Sequence, residues 1–106
     1  MNDVFALDEL LAKRLQAGRA YLEFLRVPAM SAGVYVLPAG APDPQHPHHQ
    51  DEIYYVVRGK AKMRLGKEQR SVGEGSVISV EARLEHLFFD VEEELVLLVV
   101  FAPAES

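Results

Sequence analysis

Hydrophobic and polar positions change their period once along this chain. Near the N-terminus Leu7, Leu10, Leu11 and Leu15 recur at helical spacing and predict one helix from Leu7 to Ala17, with Asp8 placed as an N-cap and Gly18 where a terminating glycine belongs. A helix of about three turns is marginal alone, so it is expected to lie against one face or one end of whatever follows. After Gly18 the texture becomes short apolar runs separated by turn residues. The runs are Ala20 to Val27, Ala32 to Leu37, Glu52 to Arg58, Lys60 to Leu65, Ser76 to Val80, Glu85 to Asp90 and Leu95 to Ala102. Gly59 separates two of them, and Glu92-Glu93-Glu94 reads as a solvated hairpin tip. Many short strands at this turn spacing point to a sandwich, barrel or jelly roll.

The faces of these runs differ. From Lys60 the alternation is clean: Lys62 and Arg64 point one way, Ala61, Met63 and Leu65 the other, as on a strand wet on one side. Leu95 to Phe101 is apolar on both faces, and Leu87-Phe88-Phe89 is similar. A small barrel has one inside, so the surplus apolar surface needs a cover, supplied in part by the helix and otherwise by a second copy, which makes a homodimer the expectation. Tyr55 and Val57 are the candidates for that face.

Composition narrows the class. A chain of 106 residues, 49% hydrophobic and 25% charged, is one globular domain able to bury a core. A net charge of −5 with no basic block argues against nucleic acid as a partner. Without cysteine there is no disulfide, no thiolate metal site and no cysteine nucleophile. The acidic N-terminal stretch does not read as a signal peptide, and the Leu95 to Ala102 run is too short to cross a bilayer, so no membrane is expected and a cytoplasmic protein is the default reading.

The chemistry concentrates between Gly40 and Gly59. Three of the four histidines, His46, His48 and His49, lie there with Glu52 close behind, and His86 follows downstream. On an extended backbone His46 and His48 face the same way with Cα atoms roughly 7 Å apart, which suits two ligands converging on one ion. Glu52 cannot join them on a straight strand, since six extended residues span about 20 Å against a bond of about 2 Å. His49-Gln50-Asp51 must therefore turn, after which Glu52 opens a returning strand. His86 has to arrive from another strand. Three imidazoles and one carboxylate suit a divalent transition metal such as Fe, Zn, Mn, Ni or Co, without choosing among them. His49 has the opposite parity and reads as a solvated turn residue. If Glu52 faces inward, Tyr54, Val56 and Arg58 follow it. Tyr54 is then the first candidate for a catalytic acid or base, against the plainer reading that its ring packs in the core and its hydroxyl meets a backbone carbonyl. Phe88 shares parity with His86, and Tyr35 and Met30 are further candidates for the pocket wall. Arg26 and Arg58 are either anion receivers or surface charges.

The stretch resembles the first motif of the cupin superfamily, G-x5-H-x-H-x3,4-E-x6-G, matched by Gly40, His46, His48, Glu52 and Gly59. The second motif, G-x5-P-x-G-x2-H-x3-N, is matched by Gly75 and His86, while Glu81 replaces its proline, Arg83 its glycine and Asp90 its asparagine. The resemblance implies an all-β double-stranded β-helix with a short N-terminal helix, a single domain over residues 1–106 with the helix at about 8–17 and the barrel at about 20–102. It implies a dimer, and His46, His48, Glu52 and His86 as metal ligands. Three functions stay open: a metal-dependent enzyme on a small organic molecule, of dioxygenase type or a Lewis-acid isomerase or lyase; a non-catalytic small-molecule binding or sensing module; or a structural role for the metal.

Overall fold

Leu7–Ala17 forms helix α1, and Gly18 closes it in the left-handed region at φ 67° with its N–H on the Leu15 carbonyl. The computed structural model describes residues 2–44 and 47–106. The helix start departs from the sequence reading. The N-cap is Ala6, which offers no side-chain cap, and Asp8 and Glu9 stand inside the first turn, where their charge suits the positive end of the helix dipole. Leu10 is buried and contributes about 2 kcal/mol. Leu15 is 71% exposed. Five residues at 3.6 per turn put it about 140° around the helix from Leu10, so it falls off the stripe assigned to it.

The remaining elements are strands β1 (Tyr21–Val27), β2 (Met30–Leu37), β3 (Asp51–Leu65), β4 (Glu68–Gly73), β5 (Val77–Val80) and β6 (His86–Ala102). They pair antiparallel in the order β1-β2-β6-β3-β4, with β5 on β3, and build a double-stranded β-helix, the jelly-roll barrel. Helix α1 lies against β1 and β2.

Two corrections share one cause. The runs either side of Gly59 are a single 15-residue strand, and the runs either side of Glu92-Glu93-Glu94 are a single 17-residue strand. These two long strands pair from Asp51↔Ala102 to Leu65↔His86, with register shifts between Val56 and Lys62. An exposed bulge in mid-strand has the same composition as a hairpin tip, so periodicity alone cannot separate them. The bulge also reverses the alternation. Glu52, Tyr54 and Val56 are buried, then Ala61 and Met63, so Arg58, expected inward, is exposed.

The barrel interior is filled by Tyr54, Val56, Met63, Phe88, Leu97 and Val99, all at most 2% exposed. On the opposite face of β2 and β6 a second layer, Val34, Val36 and Val96, is buried as well. Farther along the same outer surface Ile53, Tyr55 and Val77 stay open at 48%, 42% and 67% exposure.

Candidate metal centre

Glu52 and His86 start at opposite ends of one ladder. Glu52 is the second residue of β3, paired with Phe101 of β6 and Val80 of β5, while His86 opens β6 opposite Leu65 at the far end of β3. The curl of the barrel brings them face to face, with His86 Nε2 3.1 Å from Glu52 Oε1 and both side chains 1% exposed. His49 and Gln50 bend as anticipated before β3 begins, and His49 is exposed. His48, on the loop ahead of that bend, completes a group in which one ligand atom from each of His48, Glu52 and His86 lies within 4.8 Å of the others. His46 lies outside the described residues.

The bonding inside this group is incomplete. The Leu84 carbonyl can only accept, so His86 Nδ1, 2.7 Å away, carries a proton and donates it. In the neutral ring this leaves the Nε2 lone pair facing Glu52. The Nε2–Oε1 contact is short but misaligned, and His86 Nε2, Glu52 Oε1 and Glu52 Oε2 are all buried without a hydrogen-bond partner. Such orphans cost about 1–3 kcal/mol each and are rare in native interiors. A cation among them satisfies all three at once, so this donor set of imidazole and carboxylate fits a divalent first-row metal. Burial works against a charged His86, but the Glu52 carboxylate and the Leu84 carbonyl outweigh it and lift the imidazole above its ordinary value.

The loop that delivers His86 is held by backbone. Leu84 N–H returns to the Glu81 carbonyl, closing a turn whose third residue, Arg83, has φ 67°. Arg83 N–H donates to the His48 carbonyl at 2.6 Å, and the Asp51 carboxylate accepts from Ala82 N–H at 2.8 Å, so the two ligand loops are tied together. A turn of this kind calls for glycine at its third position, and arginine there carries about 1–2 kcal/mol of left-handed strain. Arg83→Gly keeps the N–H and relieves that strain against the extra chain entropy of glycine. Stabilisation by about 0.5–1 kcal/mol is expected in urea unfolding; a loss of stability would contradict this reading of the turn.

Above the donors lies a cavity of about 220 Å³. Tyr21, Tyr35, Tyr54, Val99 and Phe101 wall it, with His48, Glu52 and Glu105 as its ionisable groups. Phe88 is buried on the inner face, as its parity predicted, and packs edge-on against Tyr54 at 5.1 Å, but it is not among the residues lining the cavity; Tyr54 stands 6.0 Å from His86 between ring centres. Tyr35 lines the cavity as anticipated; Met30 is not among its lining residues. The Tyr35 hydroxyl donates to Asp43 Oδ1 at 2.6 Å, and Asp43 Oδ2 accepts from Phe88 N–H, which fastens the chain at Asp43 to the barrel. Arg26 is a surface charge, paired with Glu23 at 2.9 Å.

Two residues of the site escaped the sequence reading. Tyr21 reaches across β2 because position 33 is glycine; a Cβ there would meet the Tyr21 ring, with Cε1 at 2.5 Å. Its hydroxyl is buried at the cavity wall without a hydrogen-bond partner. Burial, then the charges of Glu105, Glu23 and Glu52, push its pKa well upward, so it stays a neutral donor. A glycine facing an aromatic position on a neighbouring strand was the available signal. Glu105, from the segment after β6, places Oε2 3.1 Å from His48 Nδ1. Burial raises its pKa, with His48 opposing.

The cupin-domain family model matches residues 33–101. An uncharacterized protein of Streptomyces coelicolor is 50% identical over 102 residues, covering 96% of this chain and 97% of that one. Among solved structures, TT1209 of Thermus thermophilus superposes with a TM-score of 0.73 at 22% identity, over 95% of this chain and 97% of the other. An RmlC-like cupin with a double-stranded β-helix fold from Methanocaldococcus jannaschii gives a TM-score of 0.72 at 20% identity, over 78% of each chain. These likenesses bear out the barrel.

Proposed function

Since the chain belongs to the cupin-domain family, we propose that it is a metal-dependent enzyme that moves a proton on a small carbonyl or enolisable compound, an isomerase or lyase rather than a carrier. The observation that carries this reading is the set of three buried, unpartnered donor atoms on Glu52 and His86, of which Glu52 lines an aromatic cavity. His48, Glu52 and His86 hold the ion in this reading, joined by His46 as the sequence motif implies. A divalent metal bound there supplies Lewis acidity toward an oxygen atom of the substrate.

The chain's own groups do the rest. A cavity of about 220 Å³ admits a small molecule and little more, and its walls are mostly aromatic. Tyr21 offers its unpartnered hydroxyl to a substrate oxygen and orients it. Tyr54, beside His86, exchanges the proton. Tyr54→Phe is expected to lower kcat by about 10²–10⁴-fold with metal affinity unchanged. Tyr21→Phe is expected to raise KM by about three- to tenfold, the worth of one neutral hydrogen bond. An unaltered kcat in Tyr54→Phe would remove that residue from the chemistry.

The test of the function itself is turnover of untagged, metal-supplemented protein on a panel of small carbonyl compounds, with dissolved oxygen followed throughout. Proton exchange without oxygen uptake supports the proposal. Oxygen consumption on catechols or thiols would instead establish a dioxygenase-type reaction, and bound metal with no turnover on either panel would leave a binding module.

A further inference from the structure

We infer that Glu105, which lies beyond the stretch matched by the family model, is a positioning residue for His48: its carboxylate accepts a hydrogen bond from Nδ1–H and so leaves Nε2 for Glu52 and His86 to face. The inference rests on the metal-binding reading of that site.

His48 is the least constrained of the three grouped donors. Its side chain is 21% exposed, against 1% for Glu52 and His86, and it stands on a loop rather than a strand. A histidine offers either nitrogen to a cation, and what selects one is the partner of the other. For His86 that partner is the Leu84 carbonyl. For His48 it is the Glu105 carboxylate at 3.1 Å, while Phe101 sets the plane of the ring edge-on at 4.9 Å.

Glu105 could not do this from a loose tail, and the segment is pinned residue by residue. Ala104 N–H donates to the Pro28 carbonyl at 3.3 Å, and Glu105 N–H donates to Ser31 Oγ at 2.9 Å. The Glu105 carbonyl accepts from Arg26 Nη2. Gln50, itself buried and two residues beyond His48, donates to Ser106 Oγ at 2.8 Å. Ser31 is 0% exposed, so its hydroxyl reads as a fixture of the core placed for this backbone contact. The segment forms a strap from the end of β6 across the β1–β2 turn to the histidine loop, and it carries one carboxylate into the site.

The test is Zn²⁺ affinity of untagged protein by competition with a chromogenic chelator, together with ¹⁵N shifts of the His48 ring in metal-free protein under alkaline conditions. Glu105→Ala is expected to weaken Zn²⁺ binding by about 10–100-fold, as loss of a partner behind a metal-bound histidine does. It should also convert His48 from the Nδ1–H form to a mixture of tautomers. Glu105→Gln, whose amide oxygen still accepts, should restore most of the affinity and the tautomer. Wild-type affinity and wild-type ring shifts in Glu105→Ala would overturn the inference and leave the metal site standing. A wild-type protein that binds no Zn²⁺ would overturn the metal reading instead, and the His48 shifts would still decide whether Glu105 sets the tautomer.

Discussion

Glu52→Gln is expected to abolish metal-dependent turnover, by about 10³-fold or more, and to do so without unfolding the protein. The magnitude follows from the several kcal/mol that a Lewis-acidic ion contributes to developing charge, at 1.36 kcal/mol per factor of ten. The second half of the prediction sets this apart from ordinary core damage. In metal-free protein Glu52 Oε1 and Oε2 are buried with no hydrogen-bond partner, and the neutral form of His86 presents its Nε2 lone pair toward them. A glutamine amide of the same shape donates to that nitrogen. The metal-free variant should therefore match metal-free wild type or exceed it by about 1 kcal/mol, a rise in Tm of about 4–8 °C at most. With metal added the order should reverse, since a ligand at 100 times its Kd stabilises only the binder, by about 2.7 kcal/mol. Thermal unfolding of both proteins in chelator and in excess metal reads all four values. A variant less stable than wild type in chelator would mean that the carboxylate holds the fold together rather than awaiting an ion.

The largest effect on stability is expected at Gly59, far from the donors. Gly59 has φ 108°, and a Cβ there would fall on the Glu94 carbonyl oxygen and within 2.7 Å of Leu95 Cα. Both obstacles are backbone of the partner long strand, so neither can rotate away. Gly59→Ala combines left-handed strain with overpacking at the corner where β3 and β6 cross the barrel, and should cost about 3 kcal/mol or more. That is a Tm loss of about 12–24 °C for a domain of this size. Gly40 and Gly75 also have positive φ, but a Cβ at either meets nothing within 4 Å. Alanine at those positions should cost only the conformational term, about 1–2 kcal/mol. Equal losses at Gly59 and Gly75 in urea unfolding would refute the close approach as the cause.

Gly59 also shows what was legible in the chain and what was not. The glycine was visible as the last residue of the first motif, yet it was read as a break between strands instead of a bulge within one. Local composition reports that a backbone leaves the regular pattern, not whether it returns on the same strand. Arg58 was misplaced for the same reason, because a bulge shifts the period-two count and everything beyond it changes face. The grouping of His48, Glu52 and His86 was legible because its constraint is local: His48 and Glu52 sit four positions apart across a turn whose polar residues announce it, and the parity of His86 agrees with Phe88 beside it. Tyr54 was correctly placed inside by the same parity. Glu105 and Tyr21 were not foreseen because each acts through contacts between distant parts of the chain. Glu105 meets His48 only once β6 has run back beside Asp51, and no pattern within the last residues encodes that return. Tyr21 depends on the small residue at position 33, which periodicity scores as a weak strand position rather than as clearance for a ring.

Elemental analysis of protein purified without an affinity tag, run on wild type beside folded His86→Ala, bears most directly on whether these side chains enclose a cation. About one equivalent of a first-row transition metal per chain in the wild type, falling to a small fraction in the variant, is the result expected from one buried donor set. Wild-type protein that stays metal-free after incubation with each candidate ion, or a variant that retains the full equivalent, would contradict it.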